Sequence, residues 1–373
     1  MRTIFGFLLV ALSAISVQAE QTVVWIGMAG PKNGEREGIY RAVLDTKTGN
    51  LTQPKLAAAV DGPEFLALHP NGKLLYSTCN LPGGKAGVAS FEISGDKQSL
   101  RPLNTMPTGS GGACHIAVDH AGRCLFSAQY GNASVTAYPL AADGKIMPHS
   151  ALVQHTGSGP DKKRQEGPHP HFVGTDPGNH FLFVPDLGTD EVVIYKLDPE
   201  KAGLPPHGAG RVPAGSGPRH LVFHPNGKFA YVVNEMTLTV TAFRFDPAAG
   251  TLEEIQTIDA LPEKERKLVS TAAEIYIHPS GEFLYSSNRN DDTITVFAVD
   301  SNTGKLSFVE REPIRGSHPR SFNVDPGGRW LLAAGRDSNT ISVFRIDPKT
   351  GRLVFNDQVV ESPSPICIEM QPL

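Results

Sequence analysis

One phrase returns along this chain at intervals of 47 to 57 residues, and few folds can accommodate it. It reads LHPNGKLLYS from Leu68, VDHAGRCLFS from Val118, TDPGNHFLFV from Thr175, FHPNGKFAYV from Phe223, IHPSGEFLYS from Ile277 and VDPGGRWLLA from Val324. Each copy is an apolar run, a short turn built on Pro, Asn or Gly, and a second apolar run rich in Leu, Phe and Tyr. That is the pattern of a β-hairpin. A repeat of this length holds four short strands with their connections, the unit of a propeller blade.

The rest of each repeat supplies the other two strands. A third strand alternates apolar and polar residues, as at Val240, Ala242 and Phe243 or Ile294, Val296 and Phe297. A Gly-x-Leu turn then opens a fourth, as in Gly250-Thr251-Leu252 and Gly304-Lys305-Leu306. Beyond the six complete hairpins, Thr22–Ile26 reads as a second arm without its first and Pro365–Ile368 as a first arm without its second. Joining them predicts an all-β, seven-bladed propeller with four antiparallel strands per blade, its ring closed by the terminal strands so that no sheet edge is left open. Residues 20–373 are expected to form one domain, because a blade cannot bury its faces without its neighbours. The least patterned stretch, 155–168, reads as a surface loop.

Composition matters mainly for what it excludes. The 38 Gly and 30 Pro suit many turns and no long helix, and a net charge of −4 offers no basic surface for nucleic acid. Residues 1–19 carry Arg2, a short apolar run from Ile4 to Leu12, and Val17-Gln18-Ala19, with small residues at the −3 and −1 positions of a cleavage point. This reads as a secretory signal, too short to anchor, so the expected address is periplasmic or extracellular with no membrane span after cleavage. Cys79, Cys114, Cys124 and Cys367 match neither a disulfide framework nor a zinc site, and Cys114 and Cys124 are not expected to face each other. There is no Gly-x-Ser-x-Gly elbow, no His-Glu-x-x-His helix and no phosphate-binding glycine loop. No metal or other cofactor is expected, and nothing in the sequence specifies an oligomer.

Register counting locates the chemistry. In a propeller the start of each blade's first strand and the end of its second lie at the same mouth of the central channel. Counting from the turns, those addresses hold Glu64, Cys114, His171, Arg219, Ala273 and Arg320, then Phe65, His115, Phe172, His220, Glu274 and Ser321, and at the second-strand ends Asn80, Tyr130, Leu187, Glu235, Arg289 and Arg336, preceded by Cys79, Gln129, Asp186, Asn234, Asn288 and Gly335. Elsewhere the repeat is apolar or turn-forming, whereas here it is polar and varied, as functional positions on a fixed scaffold are. The densest group is Arg219, His220, Asn234 and Glu235, with Arg289 and Glu274 from the next blade and His171 and Asp186 from the preceding one. Paired arginines suit a carboxylate or phosphate, leaving carboxylate and imidazole for proton transfer. His69, His224 and His278 precede Pro inside the turns and read as turn caps, as do Asp176 and Asp325.

At these residues the chain resembles the seven-bladed β-propeller lactonase family, which includes propeller-type 6-phosphogluconolactonases and fungal carboxy-cis,cis-muconate cyclases. The matching strings are Gly112–Asp119, Pro168–Phe172, Phe183–Gly188, Gly217–His220, Tyr231–Glu235, Ala272–Ile275 and Ser287–Arg289. The resemblance implies lactone chemistry at one mouth without a required metal, with the family's functional His, Arg, Glu and Arg falling on His171, Arg219, Glu235 and Arg289. The expected catalytic set is therefore Glu235 as general base, His171 as acid to the leaving ring oxygen, and Arg219 and Arg289 on the oxyanion and an anionic tail. His115, His220, Asn234, Glu274, Asp186 and Arg320 are expected to line the substrate. The expected partner is a small lactone or anionic sugar acid. A non-catalytic ligand-binding propeller and a lactone-forming, muconate-type cyclase remain alternatives.

Overall fold

A computed structural model describes residues 20–30, 37–267 and 270–373. The expected leader at 1–19 lies outside the described residues. Seven four-stranded antiparallel sheets are arranged in a ring. In chain order of their innermost strands the blades occupy residues 66–107, 115–154, 174–211, 218–259, 271–313 and 319–361, and the seventh is composite. There Pro365–Pro372 lies innermost and pairs with Gln21–Met28, Thr22 opposite Pro372 and Ile26 opposite Ile368, before Gly38–Asp45 and Lys55–Ala59 complete the sheet. The split blade read from the two chain ends is thus present.

The apolar alternation that defines each strand packs blade against blade. One cluster joins Trp330, Leu332 and Val343 of blade 6 to Val24, Ile26 and Met370 of blade 7, and another joins Tyr231 and Val240 of blade 4 to Leu284 and Phe297 of blade 5. Since each sheet face is finished only by its neighbour, the core is a property of the closed ring.

The hairpin turns form the face opposite the charged mouth. Asp119, Asp176 and Asp325 accept main-chain amides across their own turns, Asp325 Oδ1 from Arg329 N at 2.7 Å and Trp330 N at 2.6 Å. The turn histidines cap in the same way and also reach the next blade: His69 Nε2 meets Gly122 O at 3.0 Å, His224 Nε2 meets Gly281 O at 3.0 Å, and His278 Nε2 meets Gly328 O at 2.8 Å. A carbonyl only accepts, so each Nε2 carries the proton while Nδ1 accepts a turn amide. The four cysteines are free thiols.

Candidate functional site

The mouth is built by a distortion shared by three consecutive blades. On an ideal strand successive side chains face opposite sides, so Arg219 and His220 could not both line the channel. Ladder register shifts between Pro218 and His220, between Ala272 and Ile275, and between Pro319 and Ser321. Such bulges re-aim neighbouring side chains, and they bring Arg219 with His220, Glu274 and Arg320 to one opening. Gly217 makes the entry possible in blade 4. Its φ of +64° is a left-handed conformation, and a Cβ there would meet Met236 Sδ at 2.8 Å.

At the centre stands Glu235, at the end of the second strand of blade 4, its own carbonyl accepting Ala272 N from blade 5 at 3.0 Å. Three guanidinium groups converge on it: Arg164 Nη2 at 2.6 Å on Oε1, and Arg219 Nε at 3.1 Å and Arg289 Nη2 at 2.8 Å on Oε2. Burial alone would raise this carboxyl, but Arg289 and Arg219, followed by Arg164, hold it down at about 2. Burial and repulsion from Arg320 and Arg289 in turn pull Arg219 down to about 9 against the attraction of Glu235. The carboxylate is therefore held ionised by a cluster whose cations partly oppose one another, so it gathers the arginines more than it stabilises each of them.

A second acid–base pair lies beside it. Arg219 Nη1 is 3.1 Å from His220 Nε2 and donates to Ala273 O at 2.7 Å. Because guanidinium only donates, Nε2 is the acceptor, His220 is neutral, and its Nδ1–H donates to Glu274 Oε1 at 2.7 Å. Burial, then Arg219 and Arg320, keep His220 well below the usual histidine range. Glu274 Oε1 also accepts Ile275 N at 3.1 Å, while Oε2 has no hydrogen bond to another described residue. Burial outweighs Arg219 and pushes Glu274 up to about 7.

The floor is aromatic. His115 packs between Phe65 and Phe172, ring centroids 4.1 and 4.4 Å away, and lies 5.2 Å from His220. His171 is also 5.2 Å from His220, and its buried Nδ1 has no hydrogen-bond partner among the described residues. Burial and then Arg219 hold His171 well below its usual range, so it is neutral too. Arg320 is half-buried, its amide on His318 O at 2.8 Å, and its guanidinium makes no hydrogen bond or ion pair with another described residue, although its charge reaches Glu64, His171, Arg219 and Glu274. Beneath the floor, a cavity of about 440 Å³ opens at the hairpin-turn face, lined mainly by apolar groups such as Phe172, Val222 and Phe223. It lacks the charged cluster, and we place the chemistry at the other mouth.

Eight of the ten expected site residues meet here: His115, His171, Arg219, His220, Glu235, Glu274, Arg289 and Arg320. Two do not, and strand alternation is the reason. Asn234 precedes Glu235 and so faces into its blade, where Nδ2 donates to Thr239 and Thr241 Oγ1 at 2.9 Å each. Asp186 is fully buried against His155 Nδ1 at 2.6 Å and the amides of His169 and Gly188 at 2.6 and 3.0 Å. Asn234 ties its strand to the next and Asp186 holds main chain behind the mouth; both are fully buried and line nothing. The 155–168 stretch is also more than a surface loop: His155 and Gln165 are buried, and Arg164 reaches the site. No sequence pattern marked Arg164. Tyr130, whose hydroxyl feels the Arg164 charge and whose ring lies edge-on to His171 at 5.6 Å, occupied a counted mouth address but was not singled out. Among the described residues, no group of three or more His, Cys, Asp or Glu could hold a metal ion. No helix among them is long and apolar enough to cross a membrane.

Comparison with known proteins gives a consistent picture. A family model described as a lactonase, 7-bladed beta-propeller, matches residues 23–370. The chain is 36% identical to a Bacillus subtilis 6-phosphogluconolactonase, over 81% of this chain and 85% of that one. It is 35% identical to a Formosa agariphila 6-phosphogluconolactonase, over 77% and 82%. The solved structure of Pseudomonas aeruginosa periplasmic gluconolactonase superposes with a TM-score of 0.85 at 31% identity, covering 94% of this chain and 99% of that one.

Proposed function

Since the chain belongs to the seven-bladed β-propeller lactonase family, a family of carboxylic ester hydrolases, we propose that it opens the lactone ring of a sugar acid, an aldonolactone with or without a phosphate, at the charged mouth. The observation that carries this reading is a carboxyl with an open oxygen and a pKa of about 7, Glu274, held by His220 and lying in the field of a half-buried guanidinium, Arg320, that has no ion-pair partner among the described residues. Relatives named 6-phosphogluconolactonase and gluconolactonase support the substrate class.

The roles follow from the electrostatics. Glu235 is a poor proton acceptor, because three arginines stabilise its ionised form, and a base is most effective when its pKa lies near the working pH. The role expected for Glu235 thus passes in this proposal to Glu274. Its Oε2 takes a proton from water as the water oxygen bonds to the lactone carbonyl carbon. Arg320, with Arg219 beside it, stabilises the oxyanion that develops. As the tetrahedral centre collapses, the carbon–ring-oxygen bond breaks and the proton passes from Glu274 to the departing alkoxide, giving the hydroxy acid. His220 fixes Glu274 Oε1 through Nδ1–H, which leaves Oε2 for the water. Neutral His171 donates a hydrogen bond near the leaving oxygen, and Glu235 keeps Arg219 and Arg289 in place.

Export belongs to the same proposal, supported by the 1–19 pattern and by a relative named periplasmic. The test is hydrolysis of gluconolactone and 6-phosphogluconolactone above the spontaneous rate, together with N-terminal sequencing of the mature protein. No acceleration of either lactone sinks the enzymatic reading, and a start at Met1 sinks the export reading.

A further inference from the structure

Arg164 differs from its two companions on Glu235 in how it is held. Arg219 and Arg289 each also donate to a main-chain carbonyl of strand Thr271–Ile277, Ala273 O at 2.7 Å and Ala272 O at 2.8 Å, and their side chains are 2% and 8% exposed. Arg164 is 39% exposed, contacts Glu235 through Oε1 alone, and otherwise has the Tyr130 hydroxyl acting on its charge beside that carboxylate.

Its backbone, by contrast, is fixed. Asp161 Oδ1 accepts the amides of Lys163 at 2.8 Å and Arg164 at 3.1 Å. The next residue, Gln165, is fully buried and donates to Leu187 O at 2.9 Å and Asp190 Oδ1 at 2.8 Å. A stiff stem therefore carries a side chain that can swing without moving the loop. The exchange is chemically even: the guanidinium fork meets a ligand carboxylate or phosphate with the geometry it offers Glu235, and Glu235 remains paired by the two buried arginines.

We propose that Arg164 sets the specificity of the mouth by transferring its guanidinium from Glu235 to a second anionic group, phosphate or carboxylate, at the far end of the sugar acid. The identity of the ligand class rests on the lactonase reading; the exchange rests on the geometry.

The test titrates the whole protein calorimetrically with gluconate, 6-phosphogluconate and glucarate, ring-opened acids whose binding requires no turnover. The second carries a phosphate as its extra anion, the third a carboxylate, the first neither. Wild-type protein is expected to prefer one of the doubly anionic acids over gluconate by about tenfold or more, the scale of one charge-assisted pair. Arg164→Ala should reduce that preference to within about twofold, Arg164→Lys should restore part of it, and in lactone turnover the loss should fall on KM more than on kcat. The acid that loses its advantage identifies the anion. Equal weakening for all three acids would make Arg164 only a counter-ion of Glu235 and overturn the proposal, as would a wild-type protein with no preference. A preference that is present and lost in Arg164→Ala, in a protein that hydrolyses no lactone, would instead sink the lactonase reading alone.

Discussion

Replacing Glu274 with Gln separates the charge of the proposed base from its packing. The amide keeps an oxygen to accept the His220 Nδ1–H that now meets Oε1 at 2.7 Å, so the mouth should stay assembled while the proton acceptor is lost. With a pKa of about 7, roughly a tenth of Glu274 is ionised at pH 6 and roughly nine tenths at pH 8. The base must be deprotonated to act, so wild-type kcat/KM should rise about tenfold across that interval and level off above it. Glu274→Gln should lose about 10²- to 10⁴-fold, or ~3–5 kcal/mol of barrier lowering, and its residual rate should show no step near pH 7. Residual lactone is measured as the hydroxamate at fixed times, with an enzyme-free blank at every pH because lactones open spontaneously in base. A wild-type profile flat from pH 5 to 9, or a variant that retains the step, would refute the assignment. Glu235→Gln supplies the contrast: its rate should fall because the arginines lose their organiser, yet the step near pH 7 should remain.

Other consequences follow from the same geometry. Depression of the Glu235 carboxyl from 4.5 to about 2 is worth roughly 3 kcal/mol of folding stability by linkage, present above pH 4.5 and lost as the pH falls towards 2. Thermal melts of the wild type should therefore drop across that window more steeply than those of Glu235→Gln, and parallel curves would contradict the depressed carboxyl. Replacing His224 by Ala removes a bond across the blade 4–5 seam and one turn cap, and should cost about 1–2 kcal/mol in urea unfolding. Removing residues 365–373 deletes the innermost strand of blade 7 and should leave no cooperative unfolding transition by calorimetry, whereas a sharp transition would show that the ring can close without it.

The fold was legible because its signal is repeated. Each hairpin phrase carries turn chemistry and apolar alternation together, and even the split blade could be inferred from two orphaned arms. The mouth was legible to the extent that it follows the repeat: Arg219, Glu235 and Arg289 could be placed by counting from the turns. Counting erred by one side of the strand at Asn234 and Asp186, because a register address gives height along the channel and the pleat decides which way the side chain turns. It also gave no warning that bulges would let Arg219 and His220 share an opening. Arg164 lay beyond reach for a different reason. It sits between blades, where no repeat supplies a frame, and its placement depends on buried Gln165 holding Leu187 O and the Asp190 carboxylate more than twenty residues along the chain. Proton roles were not readable from residue type either, since Glu235 and Glu274 differ in neighbouring cations and not in kind.

Because Pro365–Pro372 runs from the charged mouth towards the hairpin-turn face and Gln21–Met28 starts where that strand finishes, with Leu373 N on Gln21 O at 2.9 Å, both ends of the propeller emerge together at the rear. Gln21 and Leu373 thus stand on the side remote from the arginines. A tether, affinity handle or fused partner at either end would hold the molecule from behind, like the stem of a cup, and leave its opening turned towards whatever solution it faces.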